Sequence, residues 1–153
     1  MIQRFYTGIG SRATPPEVLA TMETVARRMM RDGWTLRSGG AAGADSAFEK
    51  GAGCMKEIWL PWHRFRNHQS ILVPTDAALE MAAAVHENWQ ACTPAAKKLH
   101  ARNVHQVLGA DLKTPSLKLI CWTLGGAEIG GTRTAIKIAQ IWGIEIQNLG
   151  TSQ

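Results

Sequence analysis

The chain has 153 residues, enough for one domain with a substantial core, and its 45% hydrophobic share is ordinary for a globular protein. No apolar run in this sequence is long enough to span a membrane. The net charge of +5 suits an anionic partner, yet the basic residues are scattered apart from pairs such as Arg27-Arg28 and Lys97-Lys98, which excludes a basic tail.

Arg4 to Ile9 reads as a first strand that runs into the turn Gly8-Ile9-Gly10-Ser11-Arg12. Thr14-Pro15-Pro16-Glu17 then predicts a helix start, with Thr14 as cap, proline in the first turn and Glu17 closing a capping box. Val18, Met22, Val25, Ala26 and Met29 recur at helical spacing, and Asp32-Gly33 stops the helix. Trp34 to Arg37 is a second strand. It leads into Ser38-Gly39-Gly40-Ala41-Ala42-Gly43-Ala44-Asp45 and a short helix that Gly51 and Gly53 are expected to break.

Glu57 to Pro61 predicts a third, short strand, and strands joined by helices imply parallel pairing with right-handed crossovers. The interval near 62–109 is the least regular and reads as a helical insertion within a single domain spanning 1–153. In it, Thr75 caps one helix, Thr93-Pro94 opens another, and Gly109 ends it. Leu117 to Leu124 is a fourth strand, Thr132 to Trp142 a helix ended by Gly143, and Ile144 to Leu149 an alternating fifth strand.

Cys54, Cys92 and Cys121 lie far apart and form no Cys-x-x-Cys pair, in keeping with a reducing compartment. The five histidines form no His-Glu-x-x-His and no Cys/His cluster at zinc spacing, so neither a metal nor a cofactor is expected. The N-terminal residues lack the layout of a signal peptide, and the expected location is the cytoplasm.

Three glycine-bearing turns, 8–12, 38–45 and 125–132, each follow a predicted strand. In a doubly wound sheet all three open on the edge where ligands bind. Glycine lets backbone N–H groups approach an anion, and a following helix adds its own unpaired N–H groups and dipole. The spacing therefore predicts a site for a phosphate-bearing ligand. A conventional dinucleotide fingerprint is weak, because Ala13 stands where the third glycine belongs.

The first two turns resemble the Rossmann-like core of the DNA-processing protein A (DprA/Smf) family, and Arg102-Asn103 looks like that family's Arg-Asn pair. Gly130-Gly131-Thr132-Arg133-Thr134-Ala135 resembles the glycine/threonine turn of the wider SLOG superfamily, which includes LOG phosphoribohydrolases and nucleotide-signal sensors. The resemblance covers nearly the whole chain, least well over 62–96. It implies an α/β fold, a modified Rossmann domain whose mostly parallel sheet of about five strands carries helices on both faces.

It also implies a phosphate site. Gly8, Gly10, Ser11 and Arg12 would lie beside the phosphate, with Ser38, Gly39, Gly40, Ala41, Gly43 and Asp45 as its cradle. Arg102, beside Asn103, would reach in as a cation, and Thr132 and Thr134 would donate after Gly130-Gly131. Members of these families commonly self-associate, so a homo-oligomer, dimer or higher, is expected.

Plainer readings stand beside these. Arg12 could be an exposed turn residue, Arg102 a solvent-facing helix residue, and Asp45 a carboxylate that favours its helix start. Trp62, Phe65 and His68 could stack on a base or close a core, while Trp59 reads as core.

The resembled LOG enzymes carry Pro-Gly-Gly-x-Gly-Thr-x-x-Glu, whereas this chain has no acid at the matching place. Only Glu128 and Asp45 remain as catalytic candidates. The first expectation is therefore binding of a nucleotide or cyclic nucleotide-derived small molecule without turnover, for sensing or sequestration. A single-stranded DNA-binding recombination mediator is the second, and hydrolysis of a nucleotide N-glycosidic bond the third.

Overall fold

The central strands are buried on both faces, and this follows from what covers them. Tyr6, Thr7 and Gly8 of β1 (Arg4–Gly8) are all buried, as are the last four residues of β2 (Trp34–Ser38). The computed structural model describes residues 2–127 and 130–151. It adds β3 (Lys56–Ile58), β4 (Lys118–Cys121) and β5 (Glu145–Asn148), in the order β3-β2-β1-β4-β5 with every pairing parallel. Tyr6 stands opposite Leu36 on one side and Lys118 on the other.

A parallel sheet needs a helical layer on each face. Helices α1 (Pro16–Arg31) and α2 (Ala44–Ala52) cover one face, where Met22, Ala26 and Phe48 pack with Tyr6, Leu36, Ile58 and Ile120. Helices α3 (Asp76–Val85), α4 (Pro94–Leu108) and α5 (Arg133–Ile141) cover the other, where Ala78, Val104, Val107 and Ile138 pack with Ile9, Leu119 and Cys121. The chain runs outward from β1 to β3, crosses back through α3 and α4, and runs the other way through β4 and β5. Its reversal point therefore lies between β1 and β4, and this is the expected place for a ligand.

Most helix signals behave as the sequence implies. Thr75 and Thr93 accept from the N–H groups of Ala78 and Ala96, and Gly109 ends α4 at φ +78°. Several expectations need correction. The Thr14–Glu17 capping box does not form, since Pro15 is the cap residue and makes no side-chain bond. Thr14 precedes a proline, which disfavours helical backbone, and its buried hydroxyl donates instead to the Ser11 carbonyl at 2.6 Å. Pro16 lacks an N–H, so the helix start has one fewer donor to satisfy.

Gly51 does not break α2 either. It lies inside the helix, and an added Cβ would run into the Glu23 carbonyl of α1 and come within 2.7 Å of the Ala26 Cβ. The glycine is there for close approach of α1 and α2. The strands β3 and β4 are also shorter than their apolar runs; beyond β3, Trp59 makes only an isolated bridge to Leu72.

Gly51→Ala sets two effects against each other. Helix propensity favours alanine by about 1 kcal/mol, while overpacking against backbone costs about 1–3 kcal/mol. Because the obstacle is a carbonyl, the expected outcome is a net loss, read as a lower urea midpoint with an unchanged m-value. An unchanged or higher midpoint would show that the two helices do not touch there.

Candidate functional site

Three stretches of backbone meet at the C-terminal ends of β1, β2 and β4. The Ile9 and Ser11 N–H groups donate to the Ile120 and Trp122 carbonyls, both at 3.1 Å, so the first turn continues along β4 beyond the strand. An added Cβ on Gly10 would lie 2.8 Å from the Ala44 Cβ and 3.1 Å from the Trp122 oxygen. Gly43, at φ +83°, meets the Arg12 backbone in the same way, at 2.9 Å from its Cα. Side chains at these positions would push the turns apart. The first two predicted turns thus lie against each other and against the backbone that leaves β4, and together these form a rim.

The site residues divide by depth. Gly8 packs under Phe48 and Leu36, and the Ser38 hydroxyl donates to the Gly8 carbonyl at 2.6 Å, which ties β1 to β2 below the rim. Gly39 and Gly40 are buried; Ser11, Ala41 and Gly43 are partly exposed; Arg12 and Gly131 are exposed. Glu128 lies outside the described residues.

Helix α4 supplies the clamp. Its last two turns, Ala101 to Leu108, are buried on every side, so each polar group there needs a partner. Arg102, only 7% exposed, donates from Nη1 to the Gly39 carbonyl at 2.6 Å and the Trp59 carbonyl at 3.3 Å, and from Nε to Asn103 Oδ1 at 2.8 Å. Asn103 in turn donates to the Gly131 carbonyl. Two consecutive residues thus hold the turns after β2, β3 and β4. His105 accepts from the Thr75 N–H at Nε2 and pairs with the Gly109 carbonyl at Nδ1, and its ring stacks on Trp59 at 4.3 Å. Burial keeps His105 below its usual pKa, in the neutral form these bonds require.

Asp45 sits beneath the glycine turn and is 3% exposed. Burial raises its pKa to about 6, while the Arg102 charge and the Ala41 and Gly10 N–H groups pull the other way. Its Oδ2 accepts from the Ala41 N–H at 3.3 Å. Around Gly39 there is no room for a Cβ, because Arg102 Nη1 and Asp45 Oδ2 would lie 2.7 and 2.8 Å from it, with Gln106 Nε2 nearer still.

Beside this rim opens a cleft of about 330 Å³ lined by His86, Ala96, Leu99, His100, Gly131 and Arg133. The Thr134 hydroxyl meets His100 Nδ1 at 2.8 Å, and Thr132 is buried at the start of α5. Burial, then the charges of His86 and Arg102, lower the His100 pKa to about 4. Sequence reasoning missed His86, His100 and Gln106. The available signal was position: His100 lies two residues before Arg102, and Gln106 one turn after it, on the same helix.

The aromatic loop after β3 is split. Trp59 is buried as expected, Trp62 is 37% exposed with Phe65 edge-on at 5.4 Å, and His68 pairs with Glu49 at 2.8 Å.

No family model matches this chain, and no curated protein sequence matches it. Solved structures do resemble it in fold. One, described as showing the single-stranded DNA binding mode of DNA processing protein A from Helicobacter pylori, aligns at a TM-score of 0.60 and 18% identity, over 99% of this chain and 68% of that one. Two structures of the molybdenum cofactor carrier protein from Chlamydomonas reinhardtii align at TM-scores of 0.58 and 0.59, both at 16% identity, over 99% of this chain and 79% of those. At such identities the likeness is one of fold: a Rossmann-like α/β sheet.

The buried Asp45 makes stability depend on pH in an unusual direction. With a folded-state pKa of about 6 against an ordinary 3.8, the folded chain holds a proton that the unfolded chain releases. That contribution is complete below about pH 4 and is lost as pH rises through 6. Asp45→Asn does not titrate, so its stability should gain on the wild type between pH 4 and pH 7, measured by urea denaturation at each pH. A difference that stays constant across that range would mean that Asp45 is solvated.

Proposed function

We propose that this chain is a binding domain of the SLOG/DprA-like type, which holds a phosphate-bearing nucleotide or nucleotide-derived small molecule at the rim without consuming it. The observation that carries the reading is the apposition of Gly10 with Ala44 and Trp122, and of Gly43 with Arg12. Backbone meets backbone at the sheet's reversal point, and the start of α2 there offers the positive end of its dipole to an anion. Exposed Arg12 supplies a cation at the edge. Arg102 acts chiefly from below, since its Nη1 and Nε protons are committed to carbonyls and Asn103, which leaves only Nη2 to meet a ligand oxygen.

Binding without turnover fits the placement of Asp45. A buried carboxylate that accepts from backbone N–H groups beneath the turn is poorly placed to activate water. Its service is to the turn itself.

A second reading, single-stranded DNA, is favoured by the loop after β3. Trp62, His63, Arg64 and Arg66 are exposed there, at the same end of the sheet, and Arg64, Arg66 and Asn67 all hold positive φ. Aromatic and cationic groups on a strained loop are what a base-stacking, backbone-tracking surface uses.

Thermal shift with mono-, di- and cyclic nucleotides separates the two readings. The expected result is a ligand that raises the melting temperature and whose affinity falls at least about tenfold in Arg12→Ala, the loss of one charge-assisted contact. Single-stranded oligonucleotides that bind with a steep salt slope, while every small nucleotide fails, would replace the first reading with the second. Release of free base that stops in Glu128→Gln would establish hydrolysis.

A further inference from the structure

We propose that His86, Cys92 and His100 form a binding site for a zinc-class divalent ion, beside the nucleotide rim and independent of it. One donor atom from each residue lies within 4.8 Å of the others, and all three residues are partly buried. The Cys92 sulfur is 3.6 Å from His86 Nε2, and the two imidazole rings meet edge-on at 4.5 Å between centroids. Bonds of about 2.0–2.3 Å to a tetrahedral ion put neighbouring donors roughly 3.3–3.6 Å apart. The Cys92–His86 edge already has that length, and the two edges to His100, each within 4.8 Å, complete the triangle.

The supports around the three residues suit the role. His100 projects from the rigid α4, and its Nδ1 is held by the Thr134 hydroxyl, which leaves Nε2 to the ion. His86 follows the end of α3, and the 3₁₀ turn Trp89–Ala91 folds the chain back to deliver Cys92. The Trp89 ring, 6.0 Å from His86 and 6.5 Å from His100, forms an apolar wall beside the pair. The Asn88 N–H now donates to His86 Nδ1 at 3.0 Å. That bond must be released when Nε2 takes the ion, because the ring proton then moves to Nδ1.

Two imidazoles and one thiolate are a donor set for Zn²⁺ rather than for magnesium or calcium, which take oxygen. The Cys92 thiol gives up its proton to solvent on binding, and both rings stay neutral. Three protein ligands leave a fourth position, and His86 and His100 also line the cleft with Gly131 and Arg133. That position therefore faces the rim, where water or an anionic group completes the sphere.

The test uses the full chain stripped of metal with a chelator and titrated with Co²⁺ alone. The expected result is one ion per chain, with the intense thiolate-to-cobalt absorption and the visible bands of four-coordinate cobalt, all displaced by Zn²⁺. The thiolate band should vanish in Cys92→Ser and persist in Cys54→Ser, whose exposed thiol lies elsewhere. His100→Gln should weaken binding at least tenfold. On the wild type, saturating Zn²⁺ should protect Cys92 from alkylation while Cys54 stays labelled, read by peptide mass spectrometry. This measurement decides the matter if the Cys92→Ser chain does not fold. Absence of the thiolate band, its loss in Cys54→Ser, or full labelling of Cys92 under Zn²⁺ would overturn the proposal. Nucleotide binding plays no part in any of these readouts.

Discussion

The rim depends on a guanidinium that is almost wholly buried. Arg102 meets the Gly39 and Trp59 carbonyls and the Asn103 side chain, and Asn103 carries the connection on to Gly131. Burying a charge costs several kcal/mol unless hydrogen bonds satisfy it. Here the partners are main-chain carbonyls at the ends of two strands, together with Asp45 as a nearby counter-charge. Such an arrangement fixes geometry more than it adds stability. The turns after β2, β3 and β4 cannot shift singly without leaving a buried cation unpaired.

A second buried arginine does the same below the sheet's middle. Arg37, 2% exposed, donates to the Thr114 carbonyl at 2.6 Å, pairs with Glu57 at 3.3 Å and lies over the Phe5 ring at 3.9 Å. The two arginines fasten the segments that return the chain from β3 to β4, one from within the last two turns of α4 and the other at the loop that follows it. This crossover is the long-range part of the topology, and it has the least regular sequence. Polar anchors hold it where apolar periodicity is weak.

That division explains what could be read from the sequence. Helix α1 was legible because Met22, Ala26 and Met29 repeat at helical spacing and all end up buried. The sheet's parallel order was legible because helices separate the strands and glycine turns follow three of them. Strand limits were less so: β3 stops at Ile58 because Trp59 turns to stack on His105 and bridge Leu72, partners from elsewhere in the chain. Gly51 was misread because a helix break and a close helix contact call for the same residue. The rim's glycines stood out locally, while the purpose of Arg102 did not. Its partners are 63 and 43 residues away, and no spacing rule reaches that far. His86, Cys92 and His100 are close in sequence, but their spacing matches no zinc pattern, and it is the turn at Trp89–Ala91 that brings them together.

On the proposed reading, the two charges beneath the rim bear directly on an anion held above them. With Asp45 ionised, the layer formed by Arg102 and Asp45 is neutral; with Asp45 protonated it carries a full positive charge. A carboxylate whose pKa burial has brought to about 6 lies close to that boundary. An anion seated on the turn would favour the protonated form, because it removes the like charge below and leaves the guanidinium uncompensated. Proton uptake and anion binding are then linked through one buried residue, with no movement of the backbone required. The same linkage is a reason for a carboxylate here at all. An asparagine could satisfy the Ala41 N–H, but only a titrating group lets the floor of the proposed site change its charge.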